Sequence, residues 1–301
     1  MLAHAGLCCA VALLACGAEE STTLDQTGQL AEGAGRGEDL CSRPWQPRPR
    51  RASAPVSADG LRQMELREEA HEQEAARRAE LWSAQLRAEA LFDAVLRGGL
   101  IRAGVLESEL SEEIQALAEA DFGVERHWHR RIVRAGANTL TSFRDNPAER
   151  RIQADDIVYI DLGPVFGEWE ADYGRSYVLG SDPHKQRLVR DIEVAFARGK
   201  AWYEARPELT AGELYDYVAE LAAAGGWEFG APTAGHIIDR FPHARSPARH
   251  ETIRSGNSLL LRQPSSDGQP RHWILEIHFV DRARGFGGFH EELLTIRGPR
   301  P

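Results

Sequence analysis

The chain has 301 residues, is 42% hydrophobic, 27% charged and 8% aromatic, and carries a formal net charge of −10. That composition describes one large or two small globular domains, and its acidic balance offers no basic face for nucleic acid. All four cysteines (Cys8, Cys9, Cys16, Cys41) lie near the start, which excludes disulfides and thiolate ligands from everything that follows and leaves His, Asp and Glu to hold any metal, a donor set suited to Mn, Co, Fe or Zn.

Ala5 to Cys16 is an apolar run of signal-peptide length, too short to span a bilayer as a helix. Leu13-Leu14-Ala15-Cys16 has the form of a lipoprotein processing site, which would export the protein and place a lipid anchor on Cys16. No Lys or Arg precedes that run, and the favoured alternative is a cytoplasmic protein whose chain starts at Met64. On either reading residues 1–60 are a signal-like or spurious segment followed by a disordered Pro- and Arg-rich linker, and 61–301 form the folded domain.

A long helix is expected from Leu61 to Arg97, with Leu81, Leu91 and Val95 on its apolar stripe and Gly98-Gly99 as its stop. A shorter one carries Leu110, Ile114 and Leu117 at helical spacing and ends near Gly123. Strands are expected at Arg131–Val133 and Asp156–Asp161. The latter returns through a turn containing Gly163-Pro164 and Gly167 to a strand over Ala171–Leu179.

The order then recurs. Asp182-Pro183 is an N-cap with proline at the first helical position, opening a helix that buries Leu188, Ile192 and Phe196. Thr210-Ala211-Gly212-Glu213 is a capping box for a helix carrying Leu214, Val218 and Leu221 and ending at Gly225-Gly226. Strands follow around Gly235–Ile238, Trp273–Asp281 and Phe289–Ile296. Duplicated helix-helix-strand-strand halves argue for one α+β domain whose helices cover one face of a curved antiparallel sheet and leave the other for a site.

Several acids and histidines stand where a purely structural role is uneconomical. Asp161 closes the apolar strand Ile157-Val158-Tyr159-Ile160, and Asp172 opens the returning strand eleven residues later. Two carboxylates brought together on one hairpin repel each other unless a cation lies between them. Capping of a turn is the plain alternative for either one alone. His236 and His243 lie in and after another strand-like run, where a lone His is more often a satisfied core residue than a ligand. Glu276 interrupts an apolar strand, and alternation puts it on one face with His278 while Leu275, Ile277 and Phe279 take the other. Of Glu291 and Glu292, at the expected start of the last strand, alternation lets only one face the site.

In order, Asp161, Asp172, His236, Glu276 and Glu291 resemble the five-ligand series Asp, Asp, His, Glu, Glu of the pita-bread metallopeptidases, the superfamily of methionine aminopeptidase, aminopeptidase P, prolidase and creatinase. The resemblance covers roughly residues 64–301 and is most specific at Asp156–Gly163 and Ala171–Ser176. It implies the pita-bread fold and two divalent ions. Asp161 would chelate one, Asp172 and Glu291 would bridge both, and His236 and Glu276 would complete the second. It further implies hydrolysis of short peptides, those of Xaa-Pro type included, through a metal-bridging water. Glu276 would move the proton and His243 would contact the substrate carbonyl.

Two departures stand out. The family often carries a further substrate-binding His about eighteen residues before the first Asp, where this chain has Phe143; His129, or His127, would substitute. Glu276 as ligand requires an insertion, placed at Gln263–Arg271. Two further functions are left open by the same residues: C–N hydrolysis of a small non-peptide, as in creatinase, or binding without catalysis.

Overall fold

In a computed structural model the described residues are 57–242 and 251–298. The readings made on Cys16 and the linker up to residue 56, and on His243, lie outside them.

Four helices form where the sequence signals them. Helix α1 (Ala58–Arg97) starts at Ser57, whose hydroxyl accepts from the Gly60 N–H, and α2 (Glu107–Phe122) ends at Gly123 in the left-handed region. Helix α3 (Pro183–Ala205) is capped by Asp182, which accepts from the His184 and Lys185 N–H groups. Helix α4 (Ala211–Ala224) has the reciprocal Thr210–Glu213 box. Each such cap satisfies amide groups that the helix itself leaves unpaired.

The strands are β1 (Ile132–Ala135), β2 (Ile157–Leu162), β3 (Val165–Phe166), β4 (Trp169–Glu170), β5 (Tyr173–Val178), β6 (Glu228–Phe229), β7 (Ile274–Asp281) and β8 (Phe286–Leu293). Six make one antiparallel sheet in the order β1-β2-β5-β8-β7-β6, and β3 with β4 forms a small hairpin inside the turn between β2 and β5. The two halves meet where β5 pairs with β8. Val133, Val158, Ile160 and Tyr173 pack with Ala88, Leu91 and Phe92 of α1 and Leu110 and Ile114 of α2. On the other half Leu275, Ile277 and Phe279 pack with Leu188 and Phe196 of α3 and Leu214 and Val218 of α4. Because successive strand residues point oppositely, this places the even-numbered residues of β7, including Glu276, on the face that α3 and α4 do not cover.

Two strand expectations need correction. Gly235–Ile238 is not a regular strand: only the isolated bridges His236–Thr252 and Ile237–Trp273 tie it down. The last strand runs Phe286–Leu293, so Glu291 and Glu292 stand near its end rather than its start. Its first half contains Gly287 and Gly288, although glycine is depleted in strands. A β-carbon at Gly288 would crowd Leu188 and Ile192 of α3, and one at Gly287 would crowd the Thr139 carbonyl. Close packing, not turn formation, requires them. The two-residue strands β3, β4 and β6 carry no periodic signal of their own.

Candidate metal centre

One line of register crosses the sheet. Ile132 pairs with Asp161, Asp161 with Gly174, Gly174 with Glu291, and Glu291 with Glu276. Directly opposed residues share a face, so three acids from β2, β8 and β7 stand in a row on the face away from α3 and α4. Gly174 is the space between them: a β-carbon there would meet the Phe289 ring at 2.5 Å and the Glu291 Cβ at 3.3 Å.

Asp172, just before β5, joins this row with one oxygen toward each of two histidines. His129 Nε2 lies 3.1 Å from its Oδ1, and His236 Nε2 lies 3.2 Å from its Oδ2. The same nitrogens stand 3.5 Å from Asp161 Oδ1 and 3.6 Å from Glu276 Oε1 respectively. His236 reaches the row because Gly235, at φ +133°, lets its backbone press against the Ile274 carbonyl, where any β-carbon would collide. Three residues on, Asp239 takes a two-pronged pair from Arg77 of α1, at 2.9 and 2.8 Å, which anchors the same loop.

The cluster is electrostatically unresolved without a cation. Burial pushes Asp161 up to about 7 against the pull of His129, and the Asp172 charge pushes the same way. Glu276 is likewise raised to about 7 by burial, opposed by His236. Burial and the Asp172 and Asp161 charges raise Glu291 well above the usual carboxylate range. Burial also works against ionised Asp172, but His129 and His236 outweigh it and hold this carboxyl down at about 2. His129 is raised to about 9, since Asp161 and Asp172 overcome the burial that opposes its charge. Buried carboxylates of this density need a counter-charge. Asp161 Oδ1 is buried with no hydrogen-bond partner, the kind of orphaned acceptor a divalent ion would satisfy. Two groups have ligand atoms within 4.8 Å of one another: His129 with Asp161 and Asp172, and Asp172 with His236 and Glu291. The residues present fit two divalent ions.

All five acids and histidines of the expected series within the described residues are therefore brought together, along with His129. Glu292 points to the other face, where it pairs with Arg175. Phe143 is 50% exposed, with its carbonyl held by Arg130, and stands apart from the cluster. His127 turns toward α2, where its Nε2 meets Gln115 Oε1 at 2.9 Å, and burial pushes it down to about 4. Residues 263–271 form a loop closed on itself, with Arg271 donating to the Gln263 and Pro264 carbonyls, immediately before β7. Sequence reasoning missed Trp128, whose ring packs edge-on against both His129 and His236. It also missed the steric role of Gly174, for which a glycine inside an otherwise well-formed strand two residues after an acid was the available signal.

Residues 79–262 match metallopeptidase family M24. The matched span includes Asp161, Asp172 and His236 and stops before Glu276 and Glu291. Among curated proteins the chain is similar to the Xaa-Pro dipeptidases of Pyrococcus horikoshii, 29% identical over 167 residues, and Pyrococcus furiosus, 28% identical over the same length. Each alignment covers 54% of this chain and 47% of the relative, so the chain spans about half the length of the curated relatives it matches. Among solved structures it resembles the prolidase from Pyrococcus horikoshii OT3, with a TM-score of 0.59 and 20% identity over 75% of this chain and 59% of that one. The X-Pro aminopeptidase from Thermotoga maritima MSB8 gives a TM-score of 0.59 and 18% identity over 82% and 72%.

Proposed function

This chain belongs to metallopeptidase family M24, and from that premise we propose that it is a two-metal aminopeptidase or dipeptidase acting on short peptides. Its fold is the pita-bread fold, and its cofactors are two divalent metal ions. The observation that carries the reading is the convergence of Asp161, Asp172, His236, Glu276 and Glu291 from five separate segments onto one face of the sheet.

In this proposal Asp161 holds one ion, His236 and Glu276 hold the other, and Asp172 and Glu291 are shared. Two divalent ions held there supply Lewis acidity for a scissile carbonyl and lower the pKa of a water between them. Glu276, beside the second ion, would take and return the proton of the water at its carboxylate. His243 contacts the substrate carbonyl. Trp128, beside both histidines, limits water at the site. Similarity to the two Pyrococcus Xaa-Pro dipeptidases supports Xaa-Pro peptides as the first substrates to try.

Among the described residues no helix is long and apolar enough to cross a membrane. A cytoplasmic location is part of the proposal, and mapping the amino terminus of the native protein tests it against lipid anchoring at Cys16.

The deciding experiment is metal analysis followed by a peptide-library assay, with Xaa-Pro dipeptides included. About two Mn, Co, Fe or Zn ions per chain are expected, and Asp172→Ala should lose both metals and activity. A metal-loaded protein that cleaves no peptide would overturn the reaction assigned. One that holds no metal would overturn the site.

A further inference from the structure

His129 and His236 are presented to the cluster in the same way. Each carries its proton on Nδ1 and donates it to the carbonyl of the next residue at 2.7 Å: Arg130 for His129, Ile237 for His236. That hydrogen bond selects the tautomer with an open lone pair on Nε2, the arrangement that prepares an imidazole for a metal. Each Nε2 then points at a different oxygen of the same carboxylate, Oδ1 of Asp172 for His129 and Oδ2 for His236, at 3.1 and 3.2 Å. A lone pair aimed at a carboxylate oxygen is repulsive, so something positive must stand between them: a proton, or a cation.

The surroundings hold His129 in this pose. Trp128 lies edge-on to both imidazoles, with ring centroids 4.5 Å from His129 and 5.0 Å from His236. Its main-chain N–H donates to the Gly163 carbonyl at 2.8 Å and its indole N–H to the Ala171 carbonyl at 3.1 Å, fixing it beside Asp172. Gly163 leaves the room that the His129 ring occupies, for any β-carbon there would collide with both His129 and Trp128.

We propose that His129 is a metal ligand, giving the ion at Asp161 an imidazole of its own, so that Asp172 bridges two sites each carrying one histidine. The inference rests on the two-metal reading above and changes its chemistry. His129 would bind the ion rather than the substrate, the role the sequence suggested for it. A nitrogen donor in each site favours Fe, Co or Zn over harder ions held by oxygen alone.

The test uses the full chain, stripped of metal by a chelator and titrated with Co(II) while calorimetry and visible absorption are followed. Wild type should bind two equivalents. His129→Ala should keep one and bind the other more than about 100-fold more weakly, beyond the 10–100-fold that an outer-shell partner costs. His236→Ala should weaken the other equivalent. Two equivalents of unchanged affinity in His129→Ala would overturn the assignment and return His129 to the substrate. Wild type that takes up no Co(II) would bring down the two-metal reading itself, and this proposal with it.

Should the variant not fold, Zn(II)-loaded wild type with ring-15N histidine serves instead. Nitrogens of two imidazoles, assigned with His236→Ala and His243→Ala, should shift to metal-coordinated positions. A His129 ring that keeps its metal-free shifts overturns the proposal.

Discussion

Gly174 lies directly opposite Glu291 at the single point of register that joins the two halves of the sheet. A methyl group there would press on the Glu291 Cβ and the Phe289 ring. Gly174→Ala should therefore destabilise the protein by about 1–3 kcal/mol, as overpacking does, and lower its metal content below that of wild type. Thermal unfolding and elemental analysis of the same preparation check this. Full metal content at wild-type stability would show that the gap is not needed.

The neighbouring acids Glu291 and Glu292 point to opposite faces and should behave differently. Glu291→Gln removes a charge from the acid row and should abolish retention of at least one metal ion. Glu292→Gln breaks the pairs with Arg175 and His290 on the far face and should leave metal content intact, with a loss of stability of about 3 kcal/mol because the pair is largely buried. Equal metal loss in both variants would contradict the register of β8.

Metal-free protein should be most stable in mild acid. Asp161 and Glu276, raised to about 7 by burial, hold protons that the unfolded chain releases near pH 4, so stability falls as pH rises from about 4 through 7. His129, raised to about 9, contributes fully below 6.5 and loses its contribution as pH rises through 9. Asp172, held at about 2, contributes above 3.8 and loses its contribution as pH falls through 2. A Tm series on chelator-treated protein should thus decline from about pH 5 to 9, and saturating metal should reverse the decline. A flat metal-free profile would mean that the cluster is not built as described.

His243→Ala should lower kcat on a cleaved peptide by about 100-fold or more while two metals stay bound. A proportional loss of metal would instead make His243 part of the metal cradle.

Leu275 and Glu276 are adjacent yet face the helices and the site respectively. Leu275→Ala should cost about 2–5 kcal/mol through the cavity left against α3 and α4. Metal stoichiometry of the folded fraction should not change. A change would show that the two faces of β7 are not independent.

Much of this protein was legible from its residues. Asp182-Pro183, the Thr210–Glu213 box and Gly123 mark helix ends by local hydrogen bonding, and the alternation along β7 separates Glu276 from Leu275 without reference to any other strand. The place of Gly287 and Gly288 inside β8 has a different origin. Their requirement comes from Thr139, Leu188 and Ile192, residues distant in the chain.

The types of donor and the order in which they occur are determined by the sequence itself, because caps, periodicity and residue chemistry act over a few positions. Which histidine faces Asp172 is not, since Phe143, at the expected spacing, sits at the surface and His129, farther from Asp161 along the chain, reaches the acids. That choice belongs to the pairing of β1 with β2 and to the space at Gly163. Strand register and close packing bring distant segments together, and no short-range pattern encodes their distance.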